Sequence, residues 1–184
     1  MALRALFSAG RCASFAGLID DHEEREEVTM TTLRGPDPYA DAEEHLAALF
    51  VTGQGGERFY APVCAILHEA VPTYSWVGAY RVEGAALALV AWSGVAAPLA
   101  QRLPLLPGLG GASGRELFVL NDAQGEPLVA ALVADTRAVI ALPLGWGRQG
   151  AGALVIASAH RGAFGPADRA LLELVARRLD SAAA

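Results

Sequence analysis

The sequence predicts a mixed α/β (α+β) domain in which a six-stranded, mainly antiparallel sheet is flanked by N- and C-terminal helices. Three observations predict it. Apolar residues recur at helical spacing near both ends of the region 38–182. Between those ends lie short runs of alternating or continuous apolar residues, separated by Gly, Pro, Asn and Asp. Pairs of these runs are joined by short turns, which bring neighbours together as antiparallel hairpins.

The chain begins with a region set apart by composition. Residues 1–18 carry Arg4 and Arg11 and no acid, and Asp20 to Glu27 then place six carboxylates around His22 and Arg25. Arg11 interrupts the apolar run that a secretory signal would need. Residues 1–35 are therefore expected to be a tail outside the fold, with Met30 a plausible true start, and 36–184 to form a single domain.

Within that domain Ala42, Leu46, Leu49 and Phe50 form the stripe of a helix over 38–50, stopped by Gly53, Gly55 and Gly56. A second helix carries Phe59, Val63, Ile66, Leu67 and Ala70 and ends before Pro72. The period then changes. Over 74–82, Tyr74, Trp76, Gly78 and Tyr80 share one face and Ser75, Val77, Ala79 and Arg81 the other, which defines a strand. Glu83-Gly84 turns the chain into a second, nearly all-apolar strand over 85–92. Further strands are expected over 101–106, 116–120, 138–144 and 153–159, with a glycine-rich bend at 108–114 and an irregular or helical stretch up to Arg137. Gly165-Pro166 opens the last helix, Asp168 suits its first turn, and Leu171, Leu174, Val175 and Leu179 form its core stripe. The stripes of the first and last helices could serve either the domain core or a helical interface between two copies.

Composition narrows the chemistry. Apolar residues make up 53% of the 184 and charged residues 18%, which excludes wholesale disorder. The formal charge is -6, from 14 basic and 20 acidic residues, so no broad nucleic-acid surface is expected. Arg, Asp, Glu or Gln breaks every candidate membrane-crossing run. Every basic residue is arginine, which removes P-loop chemistry and lysine nucleophiles. His22, His45, His68 and His160 are scattered without paired spacing, so no metal site is expected. Gly108-Leu109-Gly110-Gly111 reads as a tight turn rather than a dinucleotide loop, because Ser113 replaces the third glycine. The serines lack a nucleophile elbow. Of the two cysteines, Cys12 lies in the tail and Cys64 in an apolar helix, a pattern of buried thiol and reducing cytoplasm.

The motifs Trp76-Val77-Gly78-Ala79-Tyr80, Leu103-Pro104, Gly108-Leu109-Gly110-Gly111, Asn121-Asp122, Ile140-Ala141-Leu142-Pro143-Leu144, Gly152-Ala153-Leu154-Val155-Ile156 and Phe164-Gly165-Pro166-Ala167-Asp168, in this order, resemble a GAF domain over residues 38–182. Within that family the chain is most similar to the free methionine-R-sulfoxide reductases. The resemblance places the reductase cysteines at Ala100, Gly110 and Leu132, and its pocket carboxylates at Val139, Val155 and Ala157. No thiol or carboxylate stands at any of these positions, so the resemblance implies the scaffold without the reductase chemistry.

The GAF resemblance further implies a ligand lying between one sheet face and the segments 92–94, 108–113 and 128–137. Tyr80, Trp92, Gly110, Asp135 and Arg137 are the candidate ligand-binding residues, and no catalytic residue is assigned. Trp76, Trp146 and Tyr74 could line the same pocket or serve as core. Arg102, Arg115 and Arg137 could clamp an anion or be ordinary surface charges. The expected function is a non-catalytic, stand-alone, cytoplasmic small-molecule-binding or sensory module, without a cofactor, that forms a homodimer and contacts neither nucleic acid nor membrane. Two alternatives stand beside it. One is a diverged reductase working through Cys64; the other is an interaction protein whose cavity is filled by its own side chains.

Overall fold

A sheet that is apolar on both faces must be covered on both, and this chain covers one face with helices and the other with irregular segments. The computed structural model describes residues 37–51, 57–105, 117–126, 129, 132–144 and 152–182. Expectations for the tail 1–35, the glycine bend 108–114, Gly110, Arg115 and Trp146 lie outside these residues.

Helix α1 (Pro38–Val51) is followed by a 3-10 turn (Glu57–Phe59) and α2 (Tyr60–Ala70). Strands β1 (Trp76–Glu83) and β2 (Ala86–Gly94) form a hairpin through Gly84, whose φ of 62° is left-handed and suits glycine. Strands β3 (Arg102–Pro104), β4 (Phe118–Leu120), β5 (Ala138–Leu144) and β6 (Gly152–Ser158) follow, and α3 (Pro166–Ala182) closes the fold. The six strands run in the order β3-β2-β1-β6-β5-β4, every neighbouring pair antiparallel. A β-bulge between Ala79 and Tyr80 shifts the β1–β2 register, so that Ala79 faces Ala91 and Tyr80 faces Leu89. The expected strands over 101–106 and 153–159 are corrected to 102–104 and 152–158. Backbone bonds flank the β2–β3 ladder at both ends, from Leu105 N–H to Ala85 O at 3.1 Å and from Leu89 N–H to Gln101 O at 2.8 Å.

Alternation along β1 and β6 divides the core in two. Val77, Ala79, Leu154 and Ile156 face the helices and join Leu46, Val63, Cys64, Leu67, Leu171, Leu172 and Val175. Trp76, Tyr80, Ala153, Val155 and Ala157 face the other way and join Leu87, Leu103 and residues of the 121–137 segment. Helix α2 lies over β2 and β1, α3 over β5, and α1 packs against α2 and α3. The stripes of the first and last helices thus serve the domain core. On α3 Leu171, Val175 and Leu179 are buried as expected and Leu172 joins them, while the expected Leu174 is half-buried.

Tyr74 departs from the sequence expectation. The strand starts at Trp76, and a turn at 72–73 followed by a bend at Ser75 breaks the alternation that would have put Tyr74 beside Trp76. Its ring enters the helical layer instead, where its hydroxyl donates to Asp168 Oδ1 at 2.9 Å. Tyr39 of α1 donates to the same oxygen at 3.1 Å, and the Gly165 N–H donates to Asp168 Oδ2 at 2.7 Å. Pro166 takes the first helical position, and Asp168, two residues on, satisfies the amide that precedes the helix. Asp168, only 2% exposed, therefore joins α1, the approach to β1 and the start of α3.

Candidate functional site

The face of the sheet opposite the helices is built on the Trp-x-Gly-x-Tyr spacing of β1. Successive odd positions would crowd three side chains over one strip of backbone, and Gly78 leaves room for the indole of Trp76 to lie across it. A Cβ at Gly78 would stand 2.6 Å from Trp76 Cζ3 and 2.8 Å from Cζ2. Gly94, paired with Trp76 across the hairpin, bounds the slot on the other side, where a Cβ would stand 2.6 Å from Trp76 Cδ1. The Trp76 and Tyr80 ring centroids lie 6.2 Å apart at 52°.

Both residues are wholly buried, yet among the described residues the Trp76 Nε1 and Tyr80 hydroxyl have no hydrogen-bond partner. Burial, aided by the Cys64 thiol, raises the Tyr80 phenol above its ordinary pKa, so it remains a neutral O–H. Around these two groups the cluster is apolar. Leu132, Val139, Val155 and Ala157, four of the positions that the sequence resemblance assigns to reductase chemistry, lie together in it, each fully buried. Ala100 packs against its edge. Trp92 pairs with Gly78 on this face but is 42% exposed.

The 121–137 segment contributes Ala123, Val129, Leu132 and Val133 to this cluster. Its described backbone bonds join every third residue: Glu126 N–H to Ala123 O at 3.3 Å, Val129 N–H to Glu126 O at 3.0 Å and Leu132 N–H to Val129 O at 3.1 Å. Leu99 N–H reaches Leu132 O at 2.7 Å and ties the β2–β3 connection to it. Asn121 pins the segment's start, accepting from Phe164 N–H at 3.1 Å and donating to Phe164 O at 3.0 Å. A cavity of about 450 Å³ lies here. Ala123, Val129 and Val133 give it an apolar floor, and Gln124, Glu126, Asp135 and Arg137 a polar rim. Asp135 holds a left-handed φ of 64°, which an aspartate tolerates better than most residues do, in a turn where Thr136 Oγ1 donates to Val133 O at 2.8 Å.

The five sequence-predicted residues thus fall in different places. Asp135 and Arg137 line one cavity; Tyr80 lies in the buried cluster, Trp92 pairs with Gly78 and stays partly exposed, and Gly110 is outside the described residues. Arg102 is engaged by Glu83 at 2.5 Å and is not part of this cavity. Sequence reasoning did not single out the unpaired Trp76 N–H, although the alternation had put Trp76 on the Tyr80 face. Nor did it find Ala123, Val129 and Val133, whose irregular segment has no period to read.

Cys64 lies on the opposite, helical face, fully buried, its Sγ 3.9 Å from Ala91 O. Burial pushes its thiol up to about 12. It is expected to resist a thiol reagent at pH 8 until the protein is unfolded, a result read by mass shift. The raised value also sets a pH dependence. The unfolded thiol ionises near 9 and the folded one near 12, so its contribution to stability is full below pH 9 and is lost as pH rises toward 12. Tyr39, raised from 10 to about 12 by burial and by Asp168, acts in the same direction. Urea midpoints should therefore fall above pH 9, and less steeply in Cys64→Ala.

Among the described residues no cluster of three or more His, Cys, Asp and Glu could hold a metal ion, and no helix is long and apolar enough to cross a membrane. No protein-family model matches the sequence, and no curated protein matches it. Solved structures do. A free methionine-R-sulfoxide reductase of Neisseria meningitidis, in complex with its substrate, is 24% identical and superposes with a TM-score of 0.64, covering 83% of this chain and 93% of that one. A putative GAF sensor protein of Burkholderia vietnamiensis is 23% identical with a TM-score of 0.64, covering 79% and 93%. The reduced form of the Staphylococcus aureus fRMsr is 24% identical with a TM-score of 0.67, covering 84% and 100%. The chain has the GAF fold. At these identities the likeness defines the fold and leaves the chemistry to the residues in place.

Proposed function

We propose that this GAF-like module binds a small molecule on the sheet face of Trp76 and Tyr80 and does no chemistry on it. The observation that carries the reading is the pair of fully buried donors, Trp76 Nε1 and Tyr80 OH, that find no partner among the described residues. An unpaired buried polar group costs about 1–3 kcal/mol, a penalty that a bound acceptor removes. The absence of catalysis is argued from the described residues, whose buried polar side chains are Ser158 and the Asp168 of the helical layer, and from the place of Cys64 beneath the other face. A nucleophile with its thiol raised to about 12 is almost wholly protonated at neutral pH.

Native mass spectrometry of the purified protein tests this. The expected result is an added non-covalent mass that disappears on denaturation and is diminished in Tyr80→Phe. The same spectrum reads whether the chain is the homodimer expected from sequence. Thiol-dependent turnover of free methionine-R-sulfoxide that vanishes in Cys64→Ser would overturn the non-catalytic reading in favour of a diverged reductase.

A further inference from the structure

We propose that the molecule taken by this face is uncharged and largely apolar and carries a hydrogen-bond acceptor, a carbonyl or ring nitrogen, that meets the Trp76 N–H and the Tyr80 hydroxyl. The proposal rests on the binding reading above and names its ligand class.

Chemistry at the face selects against the alternatives. The indole N–H can only donate, and the Tyr80 hydroxyl, held protonated by burial, has its proton free to donate. The rest of the buried cluster, Leu87, Leu103, Leu132 and Val155 among it, offers only apolar contact. An ammonium entering here would lose its water without meeting a carboxylate, and a carboxylate would find neutral donors but no cation. A neutral acceptor loses little water and satisfies a donor that is otherwise unmet. The described residues of the 121–137 segment that join the cluster are tied by short-range backbone bonds rather than a strand ladder, and local openings of such segments are less costly than those of a ladder. Ala123, Val129 and Val133 belong both to the cluster of Trp76 and Tyr80 and to the floor of the 450 Å³ cavity, so the cavity borders the buried cluster directly.

The test uses three probes of matched shape: acetophenone, which carries an acceptor; ethylbenzene, which carries none; and benzylamine, which is cationic. Each is titrated at millimolar concentration into the ¹⁵N-labelled full chain while the indole N–H signals are followed. The three tryptophans give three such signals, and Trp92→Phe and Trp146→Phe identify that of Trp76. Acetophenone should move the Trp76 signal downfield and bind about tenfold more tightly than ethylbenzene, a ratio worth about one hydrogen bond, and benzylamine should leave the signal in place. Tyr80→Phe should narrow that ratio. Equal affinity for acetophenone and ethylbenzene, or displacement of the signal by benzylamine, overturns the ligand class and leaves the binding face standing. A Trp76 signal unmoved by all three overturns both.

Discussion

Asp168→Ala should lower the stability of the protein by about 3 kcal/mol, measured as the shift of the urea unfolding curve at constant slope. The carboxylate accepts from Tyr39, Tyr74 and the Gly165 amide. Its loss leaves the buried Tyr74 hydroxyl without an acceptor and opens the cap of α3, each a cost of roughly 1 kcal/mol or more. Charge-assisted bonds are the stronger kind, which raises the sum. Tyr39→Phe should cost less, about 1 kcal/mol, because its ring is only partly buried and Asp168 keeps its other donors. Asp168→Asn separates charge from geometry: it retains one acceptor oxygen, so it should fall between the two. A loss below 1 kcal/mol for Asp168→Ala would show that the three elements are held by apolar packing alone.

Gly78→Ala should cost about 3 kcal/mol through overpacking and should also displace Trp76. The added Cβ would overlap the indole at Cη2 and crowd Cζ3 and Cζ2. The ring cannot slide away across the hairpin, because the Gly94 backbone closes that side; Gly94→Ala would meet Trp76 Cδ1 at 2.6 Å and Ser75 O at 2.9 Å. Trimming the indole tests the cause. In the double variant Gly78→Ala/Trp76→Leu the two effects should fall well short of additive, since the clash is gone once the ring is gone. Full additivity would place the strain in the strand backbone instead of the slot. Near-ultraviolet circular dichroism of Gly78→Ala reports the indole's displacement independently of stability.

Most of the sheet was legible because each strand carries its own period. Strand β5 matches its expected span, and the Trp76-x-Gly78-x-Tyr80 alternation assigned both faces of β1 correctly. The misreadings lie where a period stops. Tyr74 continues the spacing of β1 in sequence, but the turn before the strand rotates it to the other face. Asp168 looked like a charge placed for a helix dipole, and only the approach of Tyr39 and Tyr74 from remote parts of the chain makes it a buried acceptor. Leu172 and Leu174 stand on opposite flanks of the α3 stripe, about 200° apart around the helix, and composition cannot tell which flank is buried. The site was harder to read, because a missing hydrogen bond is a property of surroundings. Trp76 was visible as a pocket or core residue, whereas the lack of a partner for its N–H among the described residues depends on the apolar cluster, with Val155, Ala157 and Leu132 in it, that distant parts of the chain assemble. The cavity around Asp135 and Arg137 is formed by turns, and the sequence located its polar rim but had no means to pair it with the Ala123 and Val129 floor.

The pairing of Trp76 with Ala157 and of Tyr80 with Ala153 has a consequence for how the protein is made. Strand β1 emerges from the ribosome early and can pair at once with β2, and β5 can pair with β6 as soon as both are synthesised, but the seam between the halves joins the most distant parts of the sheet. Until β6 is out, β1 presents a free apolar edge, and both of its faces lack half their cover. The hairpin of β1 and β2 must wait for the last strand, so completion of the fold is a late event governed by long-range closure rather than local order. A nascent chain arrested before β6 would carry Trp76 and Tyr80, buried in the finished fold, as exposed aromatic surface that chaperones would meet first.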